Sequence, residues 1–393
     1  MNRPNENAET PPMDFEFDQE MTLVRDMARD FAVKELFPRA SRHDTQEHLD
    51  KEVFEKLAEL GLWGLTVPEE YGGSGLGNLA LATVLIELNR GCASTGVTVS
   101  VHNSLVGAPL RRFGSEEQKK QWFPRLATGE ILGAYCLTEP NAGSDAAALS
   151  TAAKLDGDEW VLDGTKLFVT NGAEAGLFIV YARTDPEAKR ANGISAFLVP
   201  KDTKGLRVGK KEKKTGIRGS STTEVIFEGA RVPTANLLGE QNRGFQIAMD
   251  TLDGGRIGIA AQSVGIAQAC LEESIKYSKD RQQFSRPLAD FQAIQWKLAD
   301  MSTQIEASRL LTLKAAWLRD KNEPCGQQAA QAKLFASRTA NFCADEALQI
   351  HGGAGYTDEF PVERLFRDAR ITEIYEGATD IQRIVIARKV LAS

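Results

Sequence analysis

The chain has 393 residues, 42% of them apolar and 26% charged, and carries a net charge of −7. That length allows two or three domains with an ample core, and the acidic balance argues against nucleic acid, whose phosphates call for a clustered basic surface. Five cysteines and four histidines show neither C-x-x-C pairs nor H-E-x-x-H spacing, which predicts reduced thiols in an intracellular, cytoplasmic setting and no metal.

The opening "MNRPNENAETPPMDFEFD" is polar, acidic and Pro-bearing. It is neither a secretory signal nor an Arg-rich, acid-poor transit peptide, so residues 1–14 read as a mobile tail and a mitochondrial matrix destination is disfavoured. No run of about 18 apolar residues follows, so no membrane-spanning helix is expected.

From 15 to 133 the period is helical. "FDQEMTLVRDMARDFAVKELF" places Met21, Val24, Ala28, Phe31 and Val33 near one face. "DKEVFEKLAELGLWG" and "NLALATVLIELNRGC" continue in the same style, with Gly at the stops. Between them "GGSGLGNLA" has the form of a dinucleotide fingerprint. Its context is wrong, because the polar "TVPEEYGG" precedes it where a buried strand is required.

Residues 134–245 change texture. Short apolar runs such as "GLFIVYARTD", "ISAFLVP" and "TTEVIFEGARVP" alternate with turn signals, Asp-Gly at 163–164 and Asn-Gly at 171–172 and 192–193. This predicts an antiparallel β domain closed into a small barrel. "KKEKK" at 210–214 reads as a solvated strand or loop. From 246 to 393 long helical patterns return, ending in "VERLFRDARITEIYEG", and predict a four-helix bundle. The fold class is therefore α+β, with a helical domain, a β-barrel domain and a helical bundle in that order.

Three places invite chemistry. "YCLTEPNAGSD" opens the β domain, and its Gly143-Ser144-Asp145 turn offers backbone N–H groups beside hydroxyls. It suits a pyrophosphate or a ring edge, or it is an ordinary polar turn. In "LFVTN", Phe168 and Thr170 alternate onto one strand face, where core packing would explain Phe168 equally well. At "IYEG", Glu376 stands between Tyr375 and Gly377. It is either a solvated Glu at a helix C-cap or a general base, with Gly377 letting a ligand approach the backbone.

"YCLTEPNAGSD", "GTKLFVTNG", "GISAFLVP", "GIRGSSTTEVIFE", "LDGGRIGIAAQSVGIAQ", "DRQQF", "FQAIQWKLADM", "QIHGGAGY" and "RLFRDARITEIYEGATDIQR" occur in this order. Together they resemble the acyl-CoA dehydrogenase family, most nearly its short-chain, butyryl-CoA-type members. The resemblance covers nearly all of the chain beyond the tail. It implies FAD between the β domain and the bundle, an acyl-CoA substrate, a homotetramer and an electron-transfer flavoprotein as acceptor. It further implies that Tyr135, Leu137, Thr138, Gly143 and Ser144 meet the flavin and its phosphates, with Ser144 also on the substrate side. Phe168, Val169 and Thr170 would lie along the ring. Arg281, Phe284 and Gln292, with Gln349, Gly352 and Gly353, would hold the adenine end across a subunit interface. Ala378, Thr379 and Asp380 would also face FAD, and Asp253 and Arg256 would meet coenzyme A, with Tyr375 and Gly377 beside the acyl group.

The resemblance has departures. Phe168 stands where close relatives often carry Trp, Ser285 where Gly is frequent, Asn141 where some have Gly, and Ala378 where Thr is usual. It implies that Glu376 removes the α-proton while the β-hydride passes to flavin N5. Some relatives carry the base near 254 or 255, and here those are glycines. Glutaryl-CoA-type relatives place an Arg at the position of Gly96. The segment "CASTGVTVSVHNSL" carries no Lys or Arg, and Thr95, Val97, Val99 and Val101 suit a short apolar tail. A short branched acyl chain, or a scaffold of the same fold with little turnover, are the alternatives.

Overall fold

A computed structural model describes residues 17–392. The tail expected over 1–14 lies outside the described residues. Asp18 opens α1 (Gln19–Phe31), its carboxylate accepting the Met21 N–H at 2.8 Å. This satisfies one of the orphan donors of a first helical turn. A π-helical turn, Ala32–Leu36, leads without a break into α2 (Phe37–Gln46). That wider turn shifts the apolar stripe. Ala28, Phe31, Ala32 and Leu36 are buried, whereas Val33, expected on the same face, is exposed.

α3 (Lys51–Glu59), α4 (Asn78–Gly91), α5 (Ala93–Ser100), α6 (Ala108–Phe113) and α7 (Glu116–Ala127) complete the first helical region. The Gly-rich stretch before α4 serves a helix cap from far away. Asp320 accepts the Asn78 N–H at 2.6 Å and the Leu79 N–H at 2.8 Å. A Cβ on Gly77 would overlap that carboxylate.

The strands are β1 (Leu132–Cys136), β2 (Ala152–Asp156), β3 (Glu159–Thr170), β4 (Ala175–Arg183), β5 (Ile194–Pro200), β6 (Leu206–Lys211), β7 (Thr222–Pro233) and β8 (Leu237–Leu238). They form one sheet in the order β6-β7-β3-β2-β4-β5-β8, with β1 also on β4. Two expectations change here. The sheet is mixed rather than antiparallel, because β1 pairs parallel to β4 and β2 touches β4 in the same sense. β1 enters directly from the helical region, with a whole hairpin between it and β4, so a parallel crossover is available. Among the described residues no pairing joins β6 to β8 to close the expected barrel. β8 has two residues and β6 slips register between Val208 and Lys211, so neither edge offers a long ladder.

The last region contains α8 (Gly244–Asp280), the hairpin β9 (Gln282–Gln283) and β10 (Arg286–Pro287), then α9 (Gln292–Asp320), α10 (Gly326–His351), α11 (Val362–Arg370) and α12 (Thr379–Val390). α10 packs on α8, α9, α11 and α12, and α4 also lies along α8. The helix expected through "YEG" instead ends at Arg370. A short 3-10 turn, Ile371–Glu373, follows it, and Glu376 falls between two helices rather than at a helix end. Among the described residues no helix is long and apolar enough to cross a membrane.

Candidate active site

The link between α11 and α12 makes a reversal that ordinary residues resist. Glu376 has φ 50° and Gly377 φ 95°. A non-glycine residue in the left-handed region costs roughly 1–2 kcal/mol and persists only where its surroundings fix it. The Gly377 carbonyl is held from two helices: Lys333 Nζ on α10 donates to it at 2.8 Å and Gln382 Nε2 on α12 at 2.7 Å. A Cβ on Gly377 would collide with the Gln382 amide, so the position demands glycine on both conformational and steric grounds.

The strained turn carries the Glu376 side chain onto α8. Its Oε2 is buried and has no hydrogen-bond partner, although the residue as a whole keeps some exposure. A Cβ on Gly255 would overlap that oxygen, so the α8 glycine is the space the carboxylate fills. The resemblance puts the base of some relatives near 254 or 255, and the tip of Glu376 reaches the second of these positions. Burial pushes the Glu376 carboxyl up to about 7, with the Lys333 ammonium and then the Arg256 guanidinium pulling it back down. Burial likewise pushes the Lys333 ammonium down to about 8, against Glu376.

The neighbours are polar and tightly enclosed. Arg256 pairs with Asp253, while its Nε is buried without a partner and lies toward Gly377. Tyr375 donates its O–H to Gln262 Oε1, and Gln262 is completely buried. The Tyr135 ring lies 5.2 Å from that of Tyr181, and its hydroxyl is buried without a partner. Burial holds that phenol well above its ordinary value, with Tyr181 and the nearby Glu376 adding to the rise.

The loop after β1 lies against β3. The Thr138 carbonyl accepts the Leu167 N–H at 2.8 Å, and Lys166 Nζ donates to the Leu137 carbonyl at 3.2 Å and to Glu139 at 2.7 Å. Glu139 in turn accepts the Ser150 N–H, the Ser150 hydroxyl and the Thr151 N–H. Between Lys166 and Val169 the β3–β7 register slips, and Phe168 takes φ 54°. The bulge breaks simple alternation. Lys166 and Val169 turn inward, Thr170 is half-buried and Phe168 is 64% exposed, while nothing lies near a Cβ built on Gly143 in the loop after β1. An exposed aromatic face and a glycine with nothing near its missing Cβ each leave room for a large planar group.

The remaining expected residues form a second set. Arg281 follows α8, and Gln349, Gly352 and Gly353 end α10. The Tyr277 and His351 rings, stacked at 4.1 Å, bring those two ends together. Arg281, Phe284, Gln292, Gln349, Gly352 and Gly353 are all at least partly exposed. Phe284 and Ser285 form the β9–β10 corner with φ 51° and 63°, a conformation in which Asn-Gly would be unstrained. Among the described residues no hydrogen bond joins this set to the loop after β1. Ala378 caps α12 without a side-chain bond, Thr379 spends its hydroxyl hydrogen on the Glu373 carbonyl at 3.2 Å, and Asp380 pairs with Arg383.

Models of the acyl-CoA dehydrogenase N-terminal, middle and C-terminal domains match residues 18–130, 134–230 and 242–391. This chain belongs to the acyl-CoA dehydrogenase family. The mitochondrial short-chain specific acyl-CoA dehydrogenase of Rattus norvegicus is 52% identical over 371 residues, 94% of this chain and 90% of that protein. The butyryl-CoA dehydrogenase structure from Megasphaera elsdenii is 44% identical, with a TM-score of 0.94 over 96% of this chain and 100% of that one. A chain solved in work on the electron transferring flavoprotein of Acidaminococcus fermentans is 46% identical, with a TM-score of 0.95 over 97% of this chain and 100% of that one. The protein is accordingly an FAD-dependent acyl-CoA dehydrogenase. The exposed Phe168 face and the open Gly143 turn are a fit for that flavin.

Sequence reading missed Lys333, Gln382 and Gln262 as partners of the site. Lys333 had a visible signal: it occupies a core register on α10 with Ala329, Ala336, Ala340 and Cys343, all buried, where an unpaired ammonium would be costly. The Gly255 geometry yields a prediction. Gly255→Ala pushes the Glu376 carboxylate off its resting place. Flavin content stays native, and the rate of anaerobic flavin bleaching by butyryl-CoA falls by about tenfold or more, equivalent to roughly 1.4 kcal/mol in the barrier.

Proposed function

We propose that the chain dehydrogenates a short, straight acyl-CoA thioester of butyryl-CoA type to the trans-2-enoyl-CoA, with Glu376 as the base. The observation that carries this is the buried, unpartnered Glu376 carboxylate on a strained turn. A carboxyl titrating near neutrality is a better base than an ordinary Glu, because proton transfer is most efficient when the catalytic pKa lies near the working pH. Glu376 takes the α-proton on its Oε atoms. Its own N–H donates to no backbone carbonyl within the described residues, leaving it free to meet the thioester oxygen as negative charge develops there. Bound FAD supplies the acceptor for the β-hydride. Arg256 and Asp253 orient the coenzyme A side, and Tyr375 and Gln262 bound the acyl side.

The pH dependence follows from the direction of the shift. Burial raises the carboxyl to about 7, so it is protonated and idle in acid. The bleaching rate rises as pH increases through about 7 and levels off above. Glu376→Gln retains FAD but loses proton abstraction. Bleaching at the native rate in that variant would place the base elsewhere.

Chain length is argued from the same helix. Gly255 and Gln262 are seven residues apart on α8, about 10 Å along the axis. The Tyr375–Gln262 bond therefore closes the space about two turns beyond the carboxylate. No Lys or Arg lies between Gly91 and Leu110, and a side chain at Gly96 would overlap the Asn89 amide. A second carboxylate would find no Lys or Arg in this segment, so glutaryl-CoA is disfavoured. Each CH₂ buried contributes roughly 0.8 kcal/mol until the floor is met. With an artificial acceptor, kcat/KM is highest for butyryl-CoA, lower for hexanoyl-, isobutyryl- and octanoyl-CoA, and least for glutaryl-CoA. An octanoyl-CoA optimum would show that the floor lies deeper.

The exposed adenine-end set and the loop after β1 share no bond within one chain, which supports FAD bridging two copies in a cytoplasmic homotetramer. Arg281→Ala then weakens both FAD retention and the tetramer, read by flavin absorbance and light scattering. A monomer with full FAD content would contradict the bridge. An electron-transfer flavoprotein is the proposed acceptor, and hydrogen peroxide formed at the full turnover rate would argue for an oxidase instead.

A further inference from the structure

Lys333 is completely buried in α10, on a helix face otherwise made of small residues. An ammonium in such a place is expensive unless its hydrogens and its charge are both answered. Its single hydrogen bond goes to the Gly377 carbonyl at 2.8 Å. That carbonyl belongs to the residue after Glu376, so the bond fixes the strained turn from outside it. The Glu376 carboxylate is the strongest negative influence on it, and Glu373 acts more weakly on the same ammonium. We propose that Lys333 is a positioning residue for the base: its ammonium pins the Gly377 carbonyl and supplies the positive charge that lets the Glu376 carboxylate exist in a dry pocket.

The charged and titratable groups facing this centre come from every element packed on it. α8 contributes Arg256, α10 contributes Lys333, the segment after α11 contributes Glu373, Tyr375 and Glu376, and β1 contributes Tyr135. Two of these are cations. Arg256 already has Asp253 as its partner, and that ion pair spends part of its field. Lys333 pairs with no carboxylate within salt-bridge distance among the described residues, and it is the larger of the two influences on Glu376. The remaining donor to Gly377 O, Gln382, is neutral and holds the turn without stabilising an anion. Position and charge are therefore separable: Gln382 and Lys333 share the first, and Lys333 is the larger source of the second.

The inference rests on Glu376 as the base, and the test keeps the two apart. Holoenzyme is prepared as wild type, Lys333→Met, Lys333→Gln and Lys333→Arg. The Glu376 carboxyl is titrated by infrared difference spectroscopy, with Glu376→Gln as the blank, and the flavin bleaching rate with butyryl-CoA is measured across the same pH range. Lys333→Met moves the Glu376 midpoint upward by about one pH unit or more, each unit being a tenfold loss of ionised base near neutrality. The bleaching profile shifts with it, so rate is recovered at higher pH. Lys333→Arg keeps the native midpoint. Lys333→Gln can still donate to Gly377 O but has no charge, and it behaves like Met; it also carries the test if the Met variant does not fold. An unmoved infrared midpoint in the Met and Gln variants overturns the proposal, whether or not rate is lost, because a merely structural lysine would leave the titration in place. The base assignment fails on a different signal, native bleaching by Glu376→Gln, which leaves the Lys333 titration result standing.

Discussion

The structure depends on keeping one carboxylate both dry and ionisable. Removing a charge from water disfavours it, and a buried Glu left alone simply stays protonated. The chain answers with a cation on one side, a glycine-shaped space on the other and a backbone reversal between them. These come from α10, α8 and the α11–α12 link, so the helices must approach closely. Small residues on α8 let several elements close on it, Glu376 at Gly255, Arg319 at Gly254, Ser100 at Gly258 and Asn89 at Gly265, while Ala329, Ala336, Ala340 and Ala344 keep the buried side of α10 small. The small-residue faces are thus the means by which a charged site is built with little room for water.

The β domain solves a related problem with a different device. Glu139 and Lys166 form an ion pair with side chains 3% and 0% exposed. Such a pair is weak evidence for stability, yet breaking it by removing one partner typically costs about 3–5 kcal/mol. Here both partners have further bonds: Glu139 also takes three hydrogen bonds from Ser150 and Thr151, and Lys166 also binds the Leu137 carbonyl. The pair anchors the loop after β1 to β3 just before the bulge that turns Phe168 outward. A rigid inner face is what permits an aromatic ring to stand exposed at positive φ on the outer one. Burial pushes Glu139 up, but Lys166 and the N–H donors overcome it and hold the carboxyl down at about 2.

Much of this was legible in the sequence, and the limits have physical causes. The helix–strand–helix order showed because hydrophobic period is local. Glu376 stood out because a carboxylate between Tyr375 and Gly377 fits no simple apolar stripe. Val33 was misplaced because a π turn inserts a residue that periodicity does not announce. The end of α11 at Arg370 was missed because "ITEIYEG" keeps a helical pattern while the backbone is held left-handed by contacts 44 residues away at Lys333. The parallel pairing of β1 was missed for the same reason: its partner follows a hairpin, and only the fold shows which strand lies beside it. Lys333 was the most recoverable omission, since a lysine at core spacing among alanines asks for a partner by its chemistry alone.

The segment Ala93–Ser100 sharpens the account of selectivity. Val97 and Val99 are fully buried in the core, as an apolar lining would require. Yet Asn89 Oδ1, Thr95 Oγ1 and Ser100 Oγ are buried nearby with no hydrogen-bond partner, and Gly258 has no side chain because Ser100 occupies that space. A hydrocarbon tail cannot satisfy those oxygens, and each unanswered polar atom costs about 1–3 kcal/mol. A longer acyl chain would gain roughly 0.8 kcal/mol per CH₂ from burial only while it touched apolar walls. Once it reached the Tyr375–Gln262 bond or lay against these oxygens, that gain would be cancelled. The proposed preference for a short tail would then rest less on a wall of bulky groups than on polar atoms for which a longer hydrocarbon has nothing to offer.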